Sequence, residues 1–171
     1  SIGSQKMADA IYPGAFDPVH NGHVDIVSRS AKLFDKLTVA VYETPPKQML
    51  FSPQERVNLF EQAVEHLGNV EVVSFNGLVP DLAQRMRVKF IVRGLRAGYD
   101  FETEFEMAHM WRSLDSDIEV VCMMSALEYQ FVYSSRIKEV ALLGGDIQGL
   151  VPKQVSVELR TSLSRFRKSK I

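Results

Sequence analysis

The sequence predicts an α/β fold built on an open five-stranded parallel sheet with helices on both faces. Short β-rich runs alternate with segments whose apolar residues recur at helical spacing. Several of these runs are almost continuously apolar, as is typical of strands covered on both faces, and crossovers between such strands are right-handed. The strands are expected at residues 8–12, 37–42, 70–75, 89–93 and 118–122.

Helices are expected after each strand. Ser52 and Glu55 predict a capping box at the start of the second helix, with Pro53 at its first position. The first two helices are marked by apolar residues on one face: Val24, Val27, Ala31 and Phe34, then Val57, Phe60, Val64 and Leu67. Further helices are predicted over residues 79–88, 102–114, 134–143 and 155–166.

The 171-residue chain has the length and composition of one globular domain. Its 20 Lys and Arg against 21 Asp and Glu give a net charge of −1, which argues against a nucleic-acid partner. The single cysteine, Cys122, allows no intramolecular disulfide, so a cytoplasmic location is expected. No apolar run approaches the length of a membrane span. Residues 1–6 precede Met7 and are expected to be a non-native remnant, which leaves one domain over residues 7–171.

Open parallel sheets bind ligands beyond the carboxyl ends of their strands, so the residues after each strand are the candidates. The first strand is followed by His20-Asn21-Gly22-His23 at the expected start of a helix, where free N–H groups and the helix dipole favour phosphate. Gly22 would let the backbone approach the ligand. Alternatively, Asn21 caps the helix and both histidines are surface residues. The common glycine-rich phosphate loops are absent.

Other strand ends also carry groups suited to phosphate. Lys47 follows the second strand and Arg93 ends the fourth, while Ser134 and Ser135 open a helix after the fifth. Each group also has a structural alternative. The alternative for Lys47 is a solvated side chain, and that for Arg93 is a salt bridge with an acidic residue among 100–104. The alternative for Ser134 and Ser135 is capping of the helix alone. Taken together, the groups predict a polyphosphate ligand and direct phosphoryl or nucleotidyl transfer.

Two other chemistries are disfavoured. His20 and His23 lack the cysteines or carboxylates that would complete a zinc site, so no metal ligand is assigned to the chain. Cys122 lies in a strand expected to be buried, where a thiol serves as a small apolar group. No nucleophile, base and orienting acid form a recognisable set, so covalent catalysis is not indicated.

The chain resembles the bacterial phosphopantetheine adenylyltransferases of the HxGH nucleotidyltransferase superfamily. The matching blocks are YPGAFDPVHNGHVDIV, KQMLFSPQERV, NVEVVSFNGLV, IVRGLRAGYDFETEFEMAHM, and FVYSSRIKEVA with GGDIQGLVP. The resemblance implies a Rossmann-like sheet of the nucleotidyltransferase type. It also implies transfer of AMP from ATP, accompanied by Mg²⁺, to 4′-phosphopantetheine. The products are dephospho-coenzyme A and pyrophosphate, formed by in-line attack in the penultimate step of coenzyme A biosynthesis. Members are typically homohexamers.

The resemblance also implies roles for individual residues. The catalytic residues are His23, which stabilises the transition state and contacts ATP, and Lys47 and Arg93, which hold the phosphopantetheine phosphate. Ala15 and Val79 contact the same substrate. The other ATP-binding residues are Ala15, Phe16, Gly94, Leu95, Arg96, Glu104, Tyr129, Gln130, Phe131, Val132, Tyr133, Ser134 and Ser135.

Four positions depart from the family pattern. Ala15 replaces a Thr or Ser whose hydroxyl contacts the substrate phosphate, and His20 stands where many members carry Thr. Tyr133 replaces the first serine of a triplet, and Arg136 replaces an aliphatic residue.

The alternatives to a phosphopantetheine adenylyltransferase are a nicotinamide-mononucleotide adenylyltransferase or cytidylyltransferase of the same superfamily, or a non-catalytic nucleotide-binding module. The block RGLRA followed by DFETE favours phosphopantetheine.

Overall fold

The computed structural model describes residues 8–168 and the side chains of residues 8–164; the expected remnant at residues 1–6 lies outside this range. The described chain forms one five-stranded parallel sheet with strand order β3-β2-β1-β4-β5, which confirms the predicted fold class. The strands are β1 (Ala10–Gly14), β2 (Leu37–Tyr42), β3 (Val70–Phe75), β4 (Phe90–Leu95) and β5 (Glu119–Met124).

Six α-helices connect and follow these strands. They are α1 (Asn21–Ser30), α2 (Pro53–Val64), α3 (Val79–Met86), α4 (Gly98–Leu114), α5 (Ser134–Leu142) and α6 (Lys153–Lys168). The capping box predicted at α2 is present, since Ser52 Oγ accepts the Glu55 N–H and Glu55 accepts the Ser52 N–H. Helix α4 begins four residues earlier than predicted, at Gly98, directly behind the loop after β4.

The core lies on both faces of the sheet, as predicted. On one face, Tyr12, Val39 and Val92 pack against α1, α2, α5 and α6, with Phe60 fully buried among them. On the other face, Ile11 and its neighbours pack against α3 and α4. No helix in the described part of the chain is both long and apolar enough to cross a membrane.

The sequence-based expectation for Cys122 is wrong. Strand β5 is an edge strand that pairs with β4, and no other strand of residues 8–168 lies along its second side. Its residues are exposed or half-buried, and Cys122 is exposed. A continuous apolar run does not distinguish an edge strand from a central one, which explains the error.

The order of the strands places the site between β1 and β4. These neighbours pair only through Ala10 and Ile11, with Phe90 and Ile91 as partners. Beyond Ile11 there is no further pairing, although both strands continue. The carboxyl ends of β1 and β4 therefore leave room for side chains and a ligand at the switch point of the sheet.

Candidate active site

A cleft of about 360 Å³ lies at the carboxyl edge of the sheet, between the ends of β1 and β4 and the first turns of α1 and α5. Eleven of the predicted site residues line it. They are Ala15, Phe16, His23, Lys47, Arg93, Gly94, Arg96, Glu104, Tyr133, Ser134 and Ser135. Residues from four separate parts of the sequence thus converge on one cleft, as the strand-end pattern predicts.

Six predicted residues do not line the cleft: Leu95, Val79, Tyr129, Gln130, Phe131 and Val132. Val79 is buried at the start of α3, in the core on the opposite face of the sheet. Val132 is also buried, and its carbonyl accepts a hydrogen bond from Arg96. Phe131 is exposed to solvent.

His20 and His23 form a reciprocal cap at the start of α1. His20 Nδ1 accepts the His23 N–H at 3.3 Å, and His23 Nδ1 accepts the His20 N–H at 3.1 Å. The alternative in which Asn21 caps this helix is therefore wrong, because His20 is the N-cap residue. Nor are the histidines surface residues: His20 is buried and His23 is half-buried. Since each Nδ1 accepts, the hydrogen bonds assign the ring proton to Nε2.

Gly22 has a packing role that the sequence analysis did not give it. A Cβ at this position would lie 2.9 Å from His20 Cε1 and 3.0 Å from His20 Nδ1, closer than atoms normally approach. Glycine is thus needed so that the His20 ring can fold over the first turn of α1. The expected close approach of the backbone to a ligand is not required to explain it.

Both histidines are neutral at physiological pH. Burial, and secondarily the charge of Arg96, lowers the pKa of His20 from 6.5 to about 3. Burial is also the main cause that holds the pKa of His23 well below 6.5, and His20 and Arg96 lower it further. The Phe16 ring packs edge-on against His23, with centroids 4.9 Å apart. His23 is therefore an oriented, neutral hydrogen-bond donor.

Arg93 is held by a carboxylate of α4. Its Nε and Nη2 each donate to one oxygen of Glu104 at 2.8 Å, and its Nη1 donates to the Pro13 carbonyl where β1 and β4 no longer pair. Burial lowers the pKa of Arg93, but the hydrogen bonds and charge of Glu104 outweigh burial and raise it above the ordinary value. The salt bridge considered as an alternative for Arg93 is thus present, with Glu104 as the partner.

Arg96 is held in the same manner by Asp100, which precedes Glu104 by about one turn of α4. Its Nε donates to Asp100 Oδ2 at 2.9 Å, and its Nη1 donates to the Val132 carbonyl at 3.2 Å. Asp100 also accepts the Arg96 N–H, which fixes the loop between β4 and α4. The early start of α4 places Asp100 and Glu104 where each orients one arginine.

Asp17 and Lys138 join the two sides of the cleft. Asp17 is buried, and it accepts the Leu50 and Phe51 N–H groups at 2.9 Å and the Lys138 ammonium at 2.8 Å. Helix α5, which carries Lys138, is thereby tied to the segment that leads from Lys47 into α2. Neither Asp17 nor Lys138 was predicted from the sequence, because their pairing spans 121 residues.

The serines at the start of α5 do not cap it. Tyr133 is the N-cap residue and provides no side-chain hydrogen bond. The Ser134 hydroxyl instead donates to the Pro18 carbonyl at 2.8 Å. The first N–H groups of α5 consequently have no side-chain partner and lie beside the cleft that Ser134 and Ser135 line, an arrangement suited to an anion.

Arg56 is a buried residue that the sequence analysis missed. It is fully inaccessible and donates to four backbone carbonyls, those of Phe51, Ala15, Tyr42 and Glu43, at 2.7 to 3.1 Å. No ion pair joins it to a carboxylate of the described residues. Burial lowers its pKa. Arg56 thus connects the turn after β1 with the loop after β2.

Lys47 is an exposed lysine on the rim of the cleft, and it makes no ion pair with any residue of the described chain. Within the same described range, no three histidine, cysteine or acidic side chains cluster in a manner that could hold a metal ion. The cleft therefore combines cationic groups, a neutral histidine donor and a helix N-terminus, which together suit a polyphosphate.

Comparison with known proteins is consistent with this chemistry. Residues 11–140 match the cytidylyltransferase-like family. A phosphopantetheine adenylyltransferase of Thermomicrobium roseum is 54% identical over 161 residues, which cover 92% of this chain and 95% of that protein. Another from Clostridium botulinum is 50% identical, covering 87% and 94%, and one from Dehalococcoides mccartyi is 48% identical, covering 91% and 98%. The chain belongs to the cytidylyltransferase-like family and, within it, to the phosphopantetheine adenylyltransferases.

Proposed function

We propose that this protein transfers AMP from ATP to 4′-phosphopantetheine, giving dephospho-coenzyme A and pyrophosphate in the penultimate step of coenzyme A biosynthesis. One observation carries the proposal: a neutral histidine donor, His23, shares a cleft with two arginines, Arg93 and Arg96, that carboxylates hold in place. The name that the relatives share, phosphopantetheine adenylyltransferase, supports this choice of reaction and acceptor.

The proposed reaction is a direct in-line displacement. An oxygen of the acceptor phosphate attacks the α-phosphorus of ATP, the bond to the bridging oxygen breaks, and its electron pair leaves with pyrophosphate. A phosphate monoester has a second pKa of about 6, so the acceptor is mostly dianionic at neutral pH. The enzyme therefore needs no general base. Its task is to position two anions and to oppose the charge that builds on the phosphorus and leaving group.

His23 acts as a hydrogen-bond donor to a non-bridging oxygen of the α-phosphate. Its Nδ1 is occupied by the His20 N–H, so Nε2 carries the ring proton. The pKa of His23, lowered mainly by burial, keeps the imidazole neutral throughout the physiological range. A neutral donor does not protonate the phosphate, and it strengthens its hydrogen bond as negative charge develops.

The cationic groups divide between the two substrates. We assign Lys47 and Arg93 to the acceptor phosphate, and Arg96 with the N-terminus of α5 to the ATP phosphates. Ala15 and Phe16, which follow β1, and Gly94, which lies in β4, line the cleft. Their expected contacts, and those of Val79, Leu95 and residues 129–135, are part of this proposal, whereas Glu104 is assigned to the orientation of Arg93.

Mg²⁺ enters as part of the ATP substrate. The described residues offer no ligand cluster of their own for a metal ion, so the phosphates of ATP are its natural ligands. When bound, the ion would neutralise charge on the leaving pyrophosphate, beside the arginines. We infer that this reaction takes place in the cytoplasm, in line with the single, unpaired cysteine.

A homohexamer is part of the proposal. Helix α4 exposes more apolar surface than a helix facing water normally does. The exposed apolar side chains of α4 are Tyr99, Phe101, Phe105, Met107, Met110 and Leu114, each at least 41% accessible. A second copy of the chain would cover this surface. Light scattering of the purified protein would give the mass of the assembly.

Pyrophosphate release tests the proposed reaction. The protein is incubated with Mg²⁺ and ATP, together with 4′-phosphopantetheine, nicotinamide mononucleotide or no acceptor, and CTP replaces ATP in a parallel set. We expect release only with ATP and phosphopantetheine. Release only with another acceptor or with CTP would assign a different nucleotidyl transfer. If the protein binds ATP but releases no pyrophosphate with any acceptor, it is a non-catalytic nucleotide-binding module.

A further inference from the structure

The Arg96 guanidinium retains two donors for a ligand. Arginine has five N–H groups. Nε and Nη2 donate to Asp100 and Nη1 donates to Val132 O, so one N–H remains on Nη1 and one on Nη2. Arg96 lines the cleft and its side chain is 27% exposed. The two remaining donors can form a forked hydrogen bond with phosphate oxygens, provided that the plane of the guanidinium is fixed.

Hydrogen bonds at the edge of a planar group resist movement within the plane more than tilting out of it. The Tyr133 ring lies under the face of the guanidinium, with Arg96 Cζ 3.7 Å from the ring centroid. The ring is itself supported by Tyr99, whose plane is within 11° of parallel at a centroid distance of 6.4 Å. Tyr133 therefore contacts a face of the Arg96 guanidinium, whereas Asp100 and Val132 contact only its edge.

We propose that Tyr133 is a positioning residue for ATP binding, which acts by holding the Arg96 guanidinium flat on its ring so that the two free N–H groups face the phosphates. This inference rests on the proposed function for the identity of the nucleotide. A cation over an aromatic face gains stability when it is partly withdrawn from water, as Arg96 is. The aromatic ring, and not the tyrosine hydroxyl, supplies the effect.

Arg93 provides an internal comparison. It has the same pattern of contacts as Arg96, with a carboxylate on Nε and Nη2 and a carbonyl on Nη1. However, no aromatic ring stacks on Arg93 among the described residues. Because Arg93 is assigned to the acceptor, loss of the Tyr133 ring should weaken binding of ATP and leave binding of phosphopantetheine unchanged.

The test compares Tyr133→Leu, which removes the aromatic face, with Tyr133→Phe, which keeps it. Tyr133→Phe is the matched control, since it differs from the parent protein only in the hydroxyl and leaves the ring under Arg96. Tyr133→Ser is avoided because its hydroxyl would add a possible phosphate ligand. Binding of Mg²⁺ and ATP is measured by titration calorimetry without acceptor, and KM for each substrate is measured in the full reaction.

We expect Tyr133→Leu to raise the Kd for ATP by about five-fold, the size of a partly exposed cation–π contact. Tyr133→Phe should bind ATP like the parent protein, and KM for phosphopantetheine should be the same in both variants and in the parent. Unaltered ATP binding in Tyr133→Leu, or equal weakening in Tyr133→Phe, would overturn the proposal. So would parallel losses for both substrates, which indicate a general structural defect. Because ATP binding is measured without acceptor, the result stands apart from the identity of the acceptor.

Discussion

The imidazole rings of His20 and His23 stack face to face with centroids 3.5 Å apart, while each Nδ1 accepts the backbone N–H of the other residue. Two side chains thus cap α1 and fix each other's orientation. The arrangement gives two histidines three residues apart at a helix start a structural role. It also places the ring proton of His23 on Nε2, in a side chain that lines the cleft.

Replacing His23 by alanine should lower kcat by about 100-fold or more while the protein remains folded, because one oriented donor to the transition state is lost. The measurement is steady-state pyrophosphate release together with a thermal unfolding curve. His66→Ala is the matched control, since His66 is exposed near the end of α2 and its loss should leave kcat and the unfolding curve unchanged. Unchanged turnover in His23→Ala would remove His23 from the mechanism.

Acid should destabilise this protein through His20. The folded state keeps His20 neutral down to a pKa of about 3, whereas the unfolded chain takes up a proton near 6.5. The unfolded state therefore binds more protons between these values. The contribution of His20 to stability is complete above about pH 6.5 and falls by about 1.4 kcal/mol per pH unit below it. The pKa of His23 is also lowered in the folded state, so His23 adds to the loss of stability as the pH falls.

The variant His20→Asn isolates this effect, because asparagine can cap α1 without titrating. Urea unfolding at pH 7 and pH 5 should show a smaller loss of stability in the variant than in the parent protein. His66→Asn, which removes an exposed histidine, should leave the difference between the two pH values unaltered. An equal acid loss in His20→Asn and the parent would contradict the buried, neutral state of His20.

The sequence predicts the sheet and most of the cleft, because both depend on local patterns. Strands appear within two residues of their expected bounds, since apolar runs mark them. Arg93 stands out because a charged group at the end of a buried strand is unusual, and His23 stands out because it belongs to a His-Asn-Gly-His run at a helix start. Asp17, Lys138 and Arg56 do not stand out, because their partners lie up to 121 residues away and are brought near only by the fold. The reciprocal cap is also invisible, as histidine is not a common N-cap residue.

Arg56→Met should lower the free energy of unfolding by about 3–5 kcal/mol. Methionine has a similar length but leaves four carbonyls without their buried donor. Arg85→Met serves as the control, since Arg85 is exposed on α3 and its loss should change stability little. Both variants are compared by urea denaturation. Similar urea midpoints for Arg56→Met and Arg85→Met would show that the hydrogen bonds of Arg56 contribute little to the stability of the loops after β1 and β2.

Glu104→Gln distinguishes two roles for this carboxylate. If Glu104 orients Arg93, the amide keeps one acceptor and loses the charge, so KM for phosphopantetheine should rise by about ten-fold. If Glu104 instead contacts ATP, KM for ATP should change and that for phosphopantetheine should not. Glu102→Gln, on the exposed side of α4, is the control for loss of one negative charge. We expect the first pattern, because both Glu104 oxygens are occupied by Arg93.

Ala15, on the acceptor side of the cleft, replaces the Thr or Ser whose hydroxyl belongs to the family pattern. Its carbonyl is fixed by Arg56 at 2.8 Å, and its half-buried methyl lines the cleft together with Lys47 and Arg93. Ala15→Thr should therefore place a hydroxyl beside the acceptor phosphate and lower KM for phosphopantetheine by about ten-fold, as a hydrogen bond to a charged group would. Ala15→Val has the same shape without the hydroxyl and separates the hydrogen bond from simple filling of space. Equal effects of threonine and valine would mean that no phosphate contact is gained, and that the parent protein binds its acceptor through the lysine and arginine alone.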